Sequence, residues 1–122
     1  MRVLLVEDHN DTRVVLRTLL DRCGCQTVTA KNIREARTRL EEMRFEILIA
    51  DLNLPDGDGL ALAREAKELQ PLKAIAVTGR SSEEERAIGV RAGFDYYLTK
   101  PIDFHELRQV IRSPANPCSS QK

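Results

Sequence analysis

Short apolar runs that alternate with amphipathic segments constrain the fold of this chain more than any other feature of its sequence. The pattern repeats five times, and each strand-like run is followed by a segment with apolar residues at helical spacing. Consecutive strands separated by helices need crossover connections, and these produce a parallel sheet covered by helices on both faces. The sequence therefore predicts an α/β protein with five βα units and a doubly wound, five-stranded parallel sheet.

The apolar content of the strands predicts their order. The predicted strands cover about 3–6, 27–30, 47–51, 74–78 and 95–98. The first and third predicted helices cover about 11–22 and 59–69. The second begins after Asn32, the fourth begins at the Ser82 capping box, and the fifth extends from Asp103 to about 112. The second strand alternates polar and apolar residues, as an edge strand does, whereas the first, third and fourth are nearly continuous apolar runs. A flavodoxin-like order of 2-1-3-4-5 explains both observations.

Four predicted strands run into residues suited to phosphate chemistry. The first leads to Glu7 and Asp8, the third ends at Asp51, the fourth at Thr78, and the fifth leads to Lys100. Ligands of open parallel sheets bind at the carboxyl ends of the strands, where these side chains would meet. Three crowded carboxylates repel one another, and a hard cation such as Mg²⁺ relieves that repulsion. The pattern predicts a divalent metal beside a phosphoryl group.

Each of these residues also has an ordinary structural explanation. An aspartate at a strand end usually caps a helix or is solvated, and an acidic pair before a helix complements its dipole. His9 and His105 are expected to be exposed, without a role at the site. The functional interpretation depends on the coincidence at four strand ends of one sheet.

Several motifs together resemble the receiver domain of two-component response regulators over residues 1–112. They are Val6-Glu7-Asp8, the segment from Asp51 to Gly59 with its Asp-x-x-x-Pro-x-x-x-Gly spacing, Ala76-Val77-Thr78-Gly79, and the segment from Ala92 to Pro101. The loop that ends in Gly59 and the Ala92-Gly93-Phe94-Asp95 stretch are also similar to receivers of hybrid histidine kinases.

The resemblance implies a phosphoacceptor role for Asp51. A phosphohistidine on a histidine kinase or histidine phosphotransfer protein would supply the phosphoryl group. Asp8 and Asp51 would bind Mg²⁺ through their side chains, Asn53 through its backbone carbonyl, and Glu7 largely through water.

The resemblance also implies a conformational switch. Lys100 and Thr78 would hold the phosphoryl oxygens, and Tyr97 would turn inward when Thr78 moves toward the phosphate. The Lys100-Pro101 peptide bond would be cis. Such a domain is a signalling module with self-phosphorylation and autodephosphorylation activity, rather than a conventional enzyme.

Two other functions fit the same fold. The first is a Mg²⁺-dependent small-molecule phosphatase with Asp51 as nucleophile. Phosphatases of the haloacid dehalogenase type place a second aspartate two residues later, where this chain has Asn53. The second is a nucleotide- or flavin-binding module, but no glycine-rich phosphate loop follows the first strand.

Composition limits the remaining possibilities. The 122 residues fit one domain, which we expect at 1–112, followed by a disordered tail or linker at 113–122. The formal net charge is zero, so we expect no direct binding to nucleic acid and no membrane contact. The three cysteines form no even disulfide framework, and the start lacks a signal peptide's layout. We therefore expect a cytoplasmic protein, with a homodimer as a possible assembly.

Overall fold

Five parallel strands form the central sheet in the computed structural model, which describes residues 1–79 and 94–113. In chain order the elements are β1 (Arg2–Val6), α1 (Asn10–Arg22), β2 (Gln26–Ala30), α2 (Ile33–Glu42), β3 (Ile47–Asp51), β4 (Asn53–Leu54), β5 (Gly57–Asp58), α3 (Gly59–Leu69), β6 (Lys73–Thr78), β7 (Tyr96–Thr99) and α4 (Phe104–Arg112). Helix α4 is the fifth predicted helix. The fourth predicted helix and its Ser82 capping box lie outside the described residues, as do all the tail residues after Ser113.

The strand order β2-β1-β3-β6-β7 confirms the predicted topology, because β6 and β7 are the fourth and fifth predicted strands. Every neighbouring pair in this sheet is parallel. Strand β2 lies at one edge, as its alternating sequence predicted, and its residues are less buried than those of β3 and β6. Strands β4 and β5 form a separate two-residue antiparallel pair between β3 and α3.

The two faces of the sheet bury two separate clusters of apolar side chains. Leu4 and Leu48 point to the face covered by α2 and α3, whereas Leu5 and Ile49 point to the face covered by α1 and α4. This division follows from the strand period of two, which sends successive side chains to opposite faces. Burial on both faces explains why the central strands are continuous apolar runs.

Helix α1 buries a narrower stripe than its sequence predicted. Helical spacing places Val15, Leu16, Leu19 and Leu20 on one apolar face, but Val15 is 56% exposed. Leu16 and Leu20 are buried, and Leu19 is half-buried. Residues four apart lie above one another on a helix, so Leu16 and Leu20 meet the sheet while Val15 turns to the flank.

Two helix starts have the caps that the sequence predicted. The Asn32 side chain accepts a hydrogen bond from the Glu35 backbone N–H at 2.8 Å. The Glu35 carboxylate reaches back to the backbone N–H of Lys31 rather than that of Asn32. At α4, the Asp103 side chain accepts from the backbone N–H of His105.

A buried lysine fastens the end of α4 to the sheet. Lys73 begins β6, and its ammonium donates hydrogen bonds to the carbonyl oxygens of Val110, Ile111 and Ser113. These carbonyls belong to the last turn of the helix and the residue after it, where intrahelical donors are lacking. Burial lowers the pKa of Lys73 from its usual value, although the nearby Asp95 carboxylate acts in the opposite direction.

The Cys23-Gly24-Cys25 segment forms the turn between α1 and β2. Gly24 has φ +82°, a conformation that favours glycine. Both cysteines are free, Cys25 is buried, and Cys23 is half-buried. Burial raises the pKa of both thiols, which disfavours the reactive thiolate.

Within residues 1–79 and 94–113, no helix has the length and apolar character needed to cross a bilayer.

Candidate functional site

The carboxyl ends of β1, β3 and β6 lie side by side, as the predicted topology requires. Asp51 is the last residue of β3 and is paired in register with Val77, one residue before Thr78. Glu7 follows β1, and its backbone N–H donates to the carbonyl of Ala30. Glu7, Asp51 and Thr78 are all buried.

Lys100 joins two of the carboxylates at this edge. Its ammonium donates a hydrogen bond to Oδ2 of Asp51 at 3.0 Å and lies 3.2 Å from Oε1 of Glu7. The side chains of Glu7 and Asp51 are only 1% and 7% exposed, whereas that of Lys100 is 24% exposed. The lysine therefore brings a positive charge from the rim to two carboxylates that water barely reaches.

The pKa of Lys100 shows which effect dominates at this contact. Burial alone would lower that pKa, because it disfavours the charged ammonium. The hydrogen bond to Asp51, its charge and that of Glu7 outweigh burial and raise the pKa of Lys100 above its usual value. The ammonium is therefore firmly charged at neutral pH.

Four residues at the edge could hold a metal ion together. One ligand atom from each of Glu7, Asp8, His9 and Asp51 lies within 4.8 Å of the others. Among the described residues, Oε1 of Glu7 and Oδ1 of Asp8 are buried oxygens without a hydrogen bond. The contact of Glu7 Oε1 with Lys100 is thus an ion pair without hydrogen-bond geometry. Buried, hydrogen-bond-deficient carboxylate oxygens are the donor set that a hard divalent cation fits.

His9 is the member of this group that the sequence interpretation placed outside the site. Its ring Nδ1 lies 3.2 Å from Oε2 of Glu7 and 3.5 Å from Oδ1 of Asp8. Its backbone N–H also donates to Oε2 of Glu7. Arg13, one turn into α1, donates to the backbone carbonyl of Glu7 at 2.9 Å. Position directly after the acidic pair was the available signal for His9.

The loop after Asp51 depends on a close backbone approach at Gly59. A Cβ atom at this position would overlap the carbonyl oxygen of Asp51 and lie 3.1 Å from Cα of Leu52. The Gly59 N–H donates to the Leu52 carbonyl, which closes the loop at the start of α3. The motif therefore ends in glycine because a larger residue would overlap the backbone of Asp51. Asn53, two residues after Asp51, begins β4 and pairs with Asp58.

Asp56 connects the same loop to another helix, a role that sequence reasoning missed. Its carboxylate accepts hydrogen bonds from the backbone N–H groups of Ile33 and Arg34 at the start of α2. The hydrogen bond from Ile33 is the main reason that the pKa of Asp56 lies below its usual value. The turn of the β4–β5 hairpin is thereby tied to the N-terminus of α2.

Tyr97 lies in β7, the strand paired with β6, and Lys100 directly follows that strand. Tyr97 is half-buried on the α2–α3 side of the sheet, and its ring meets that of Phe94 edge-on at a centroid distance of 6.0 Å. Tyr96 packs on the opposite face. The backbone N–H of Lys100 donates to the Thr78 carbonyl, and the Lys100-Pro101 peptide bond is cis, as the resemblance implied.

Comparison with known protein families decides what kind of domain carries this site. The family model of the response regulator receiver domain matches residues 3–112. The chain belongs to this family. Its fold, strand order and acidic edge are therefore those of a receiver domain.

Relatives of this receiver domain include short and long proteins. It is 38% identical over 115 residues to an uncharacterized 14.6 kDa protein of Leptolyngbya boryana, covering 92% of this chain and 88% of that protein. It is 33% identical over 110 residues to the KDP operon transcriptional regulatory protein KdpE of Escherichia coli, covering 90% of this chain but 49% of KdpE. The chain thus spans about half the length of KdpE.

Solved structures place the receiver domain in the same fold. The Ssk1 receiver domain of Saccharomyces cerevisiae, crystallised with the histidine phosphotransfer protein Ypd1, superposes with a TM-score of 0.83 at 26% identity, covering 91% of this chain and 86% of that chain. A Burkholderia pseudomallei response regulator with a phosphorylated aspartic acid, calcium ion and citrate gives 0.86 at 26% identity, covering 98% of this chain and 71% of that chain.

Proposed function

We propose that this receiver domain takes a phosphoryl group from a partner's phosphohistidine onto Asp51 in a Mg²⁺-dependent reaction. The observation that carries the proposal is the contact of Lys100 with Asp51 and Glu7 beside buried, hydrogen-bond-deficient carboxylate oxygens. The B. pseudomallei relative supports it, because that structure contains a phosphorylated aspartic acid and a calcium ion.

The transfer needs positioning and charge neutralisation more than acid–base catalysis. A carboxylate oxygen of Asp51 attacks the phosphorus, the new P–O bond forms, and the P–N bond to the donor imidazole breaks with its electron pair leaving on nitrogen. Mg²⁺, held by Asp8, Asp51 and the Asn53 backbone carbonyl and by Glu7 largely through water, would neutralise the phosphoryl oxygens. No histidine of this chain takes part in the chemical step.

Lys100 has a second position to move to once Asp51 is phosphorylated. Its ammonium now pairs with Oδ2 of Asp51 at 3.0 Å. Phosphorylation turns that carboxylate into an acyl phosphate and moves the negative charge outward onto the phosphoryl oxygens. We expect the ammonium to follow that charge, while the Thr78 hydroxyl donates to another phosphoryl oxygen and Tyr97 follows Thr78 inward.

A partner protein has an apolar surface to bind beside the site. Val14 and Val15 on α1 are 62% and 56% exposed. Val15 also lines a shallow cavity with Lys100, Pro101 and Ile102, next to the phosphoacceptor edge. The Ssk1 receiver domain was crystallised with a histidine phosphotransfer protein. We therefore propose that the donor protein docks across α1 and the segment after Lys100.

The phosphatase alternative is not favoured. The family match assigns the chain to receiver domains, and Asn53 stands where the phosphatase would need its acid. Hybrid-kinase origin, homodimer formation and cytoplasmic location stay predictions.

Intact mass spectrometry after incubation with acetyl phosphate and Mg²⁺ tests the proposal. The wild type should gain about 80 Da, the mass of one phosphoryl group. Asp51→Asn should gain nothing, and EDTA should abolish the adduct on the wild type. Asp21→Asn is a matched control, because Asp21 is an exposed aspartate near the opposite end of α1. This variant should be phosphorylated like the wild type.

Two results would overturn the assignment. An adduct that persists in Asp51→Asn would place the acceptor elsewhere. A folded wild type that stays unmodified by acetyl phosphate and also by a phosphorylated histidine phosphotransfer protein would mean that the site has lost its chemistry.

A further inference from the structure

The imidazole of His9 lies against the acidic group that would hold the cation. Its Nδ1 is 3.2 Å from Oε2 of Glu7 and 3.5 Å from Oδ1 of Asp8. Ligand atoms that share one divalent ion at bond lengths of about 2.1 Å are about 3.0–3.4 Å apart in octahedral or tetrahedral geometry. The separation of His9 Nδ1 from Asp8 Oδ1 is close to this range, so little movement would bring these two atoms onto one ion, with Glu7 reached largely through water.

A second observation at the same place also points to a cation. The Glu7 side chain is 1% exposed, and its Oε1 lies 3.2 Å from the Lys100 ammonium but accepts no hydrogen bond. Oδ1 of Asp8, 3.5 Å from the ring nitrogen, is likewise buried and accepts no hydrogen bond. Burying carboxylate oxygens in this state costs free energy that an ion would recover.

We propose that His9 is a ligand of this cation site and sets its metal preference, an inference that rests on the proposed function's metal site. Carboxylates and carbonyls alone suit hard cations such as Mg²⁺. An imidazole nitrogen adds a borderline donor that favours Mn²⁺, Co²⁺ and above all Zn²⁺. In the binding tautomer the proton lies on Nε2, and the Nδ1 lone pair faces the two carboxylates.

The backbone around His9 already directs the ring toward the carboxylates. Glu7 Oε2 accepts from the His9 backbone N–H, and Arg13 fixes the Glu7 carbonyl from α1. The ring itself is 70% exposed, so an ion can reach it from solvent without rearranging the core. The site would therefore accept a hydrated divalent ion and exchange one water for the imidazole.

Calorimetric titration of the full chain with Zn²⁺ alone and with Mg²⁺ alone tests this inference. His9→Asn should lose at least about tenfold more Zn²⁺ affinity than Mg²⁺ affinity. The substitution removes a nitrogen ligand, and even the loss of a hydrogen-bond partner outside the ligand shell weakens metal binding by about this factor. His105→Asn is the matched control, because the chain has two histidines and His105 lies in the first turn of α4. It should bind Zn²⁺ like the wild type.

Nitrogen-15 NMR of the imidazoles gives a readout independent of activity. Zn²⁺ should shift one ring nitrogen of His9 and neither nitrogen of His105. Equal Zn²⁺ affinity in wild type and His9→Asn, or an unshifted His9 ring, would overturn the inference. An equal loss in His105→Asn would assign the binding to surface imidazoles and would also overturn it.

The role of His9 and the phosphoacceptor role of Asp51 can fail independently of each other. A wild type that forms the Asp51 adduct with Mg²⁺ but shows no role for His9 in Zn²⁺ binding would refute only this inference. A wild type without an adduct would refute the phosphoacceptor role, while the titrations would still report on His9.

Discussion

At the residue scale, the site is an arrangement of negative charges that require a cation. Two carboxylates whose side chains are 1% and 7% exposed share the single ammonium of Lys100. A buried charge that loses its partner destabilises the fold more than the intact pair stabilises it. Lys100 therefore stabilises the folded state before any phosphoryl group is bound. A bound divalent ion would also neutralise these carboxylates.

We predict that Lys100→Met lowers the free energy of unfolding by about 2 kcal/mol at neutral pH in EDTA, below the full cost of an unpaired buried charge because Lys100 is partly exposed. Mg²⁺ should restore part of the loss, since it neutralises the same carboxylates. Urea unfolding with and without Mg²⁺ measures both effects. Lys31→Met, at an exposed lysine before α2, is the control and should change little.

The same contact predicts a dependence on pH. The pKa of Lys100 is raised in the folded state, so its contribution is fully present below the unfolded value of about 10.5 and is lost as pH rises through the higher folded value. The stability difference between wild type and Lys100→Met should therefore be constant from neutral pH to about 10 and shrink above that. A difference that already disappears near pH 8 would contradict the ion pair.

At the element scale, the connection from β3 to α3 depends on a close backbone approach at Gly59, where a Cβ atom would overlap the Asp51 carbonyl oxygen. We predict that Gly59→Ala destabilises the protein by about 2 kcal/mol or more, because overpacking forces the backbone apart. It should also slow phosphoryl uptake, since the displaced atom is the Asp51 carbonyl oxygen. Urea unfolding and the rate of the mass shift with acetyl phosphate measure the two effects.

Gly79→Ala is the matched control for that substitution. A Cβ at Gly79 meets nothing within 4 Å among the described residues, and its φ is not in the left-handed region. This variant should be as stable as the wild type. Equal stability of Gly59→Ala and Gly79→Ala would show that the loop can relax around the added methyl group.

The carboxylate of Asp56 in the β4–β5 hairpin caps the start of α2. We predict that Asp56→Ala speeds amide hydrogen exchange at Ile33 and Arg34, whose N–H groups donate to Asp56. Because the pKa of Asp56 is lowered in the folded state, its contribution is present above the unfolded value of about 3.8 and lost as pH falls through the lower folded value. Exchange measured by NMR at pH 7 tests the effect, and unchanged protection at both amides would exclude the cap.

The sequence predicted the elements better than the contacts between them. Strand order, helix α3 at 59–69 and the edge position of β2 followed from local periodicity and from the number of polar residues per strand. The cap from Asp56 links residues 22 and 23 positions apart, and the anchor from Lys73 links residues 37 or more positions apart. No local pattern encodes such pairs, because they arise only when the sheet brings the elements together.

The candidate site shows the same limit. Glu7, Asp51 and Lys100 were predictable because each stands at the end of an apolar run, and topology alone makes those ends neighbours. The contact of His9 with Glu7 was not predictable, because ring orientation depends on the loop's hydrogen bonds to Glu7. The exposure of Val15 was not predictable, because helical spacing gives a wide apolar face but does not say which part meets the sheet.

At the scale of the whole molecule, β6 connects the site to the end of α4. Its last residue is Thr78, and its first residue, Lys73, holds the carbonyls of the final turn of α4. Strand β7 lies beside it and carries Tyr97 on one face and Tyr96 on the other. A shift of Thr78 toward a phosphoryl group would therefore act on a strand that is fixed at its far end, so the response should appear in β7.

We predict that Tyr97→Ala accepts the phosphoryl group normally but loses most of the accompanying structural change. Its ring packs against Phe94 and the α2–α3 side of the sheet, away from the Asp51 carboxylate that reacts, so uptake does not need it. The structural change after phosphorylation, in contrast, requires the half-buried Tyr97 ring to move to a more buried position. Intact mass measures uptake, and amide chemical shifts of β7 and α4 before and after phosphorylation measure the response.

Tyr96→Ala, which alters the neighbouring ring on the opposite face, should keep the response at α4. Failure of Tyr97→Ala to take up the phosphoryl group, or a wild-type shift pattern in it, would contradict the switch role of this side chain.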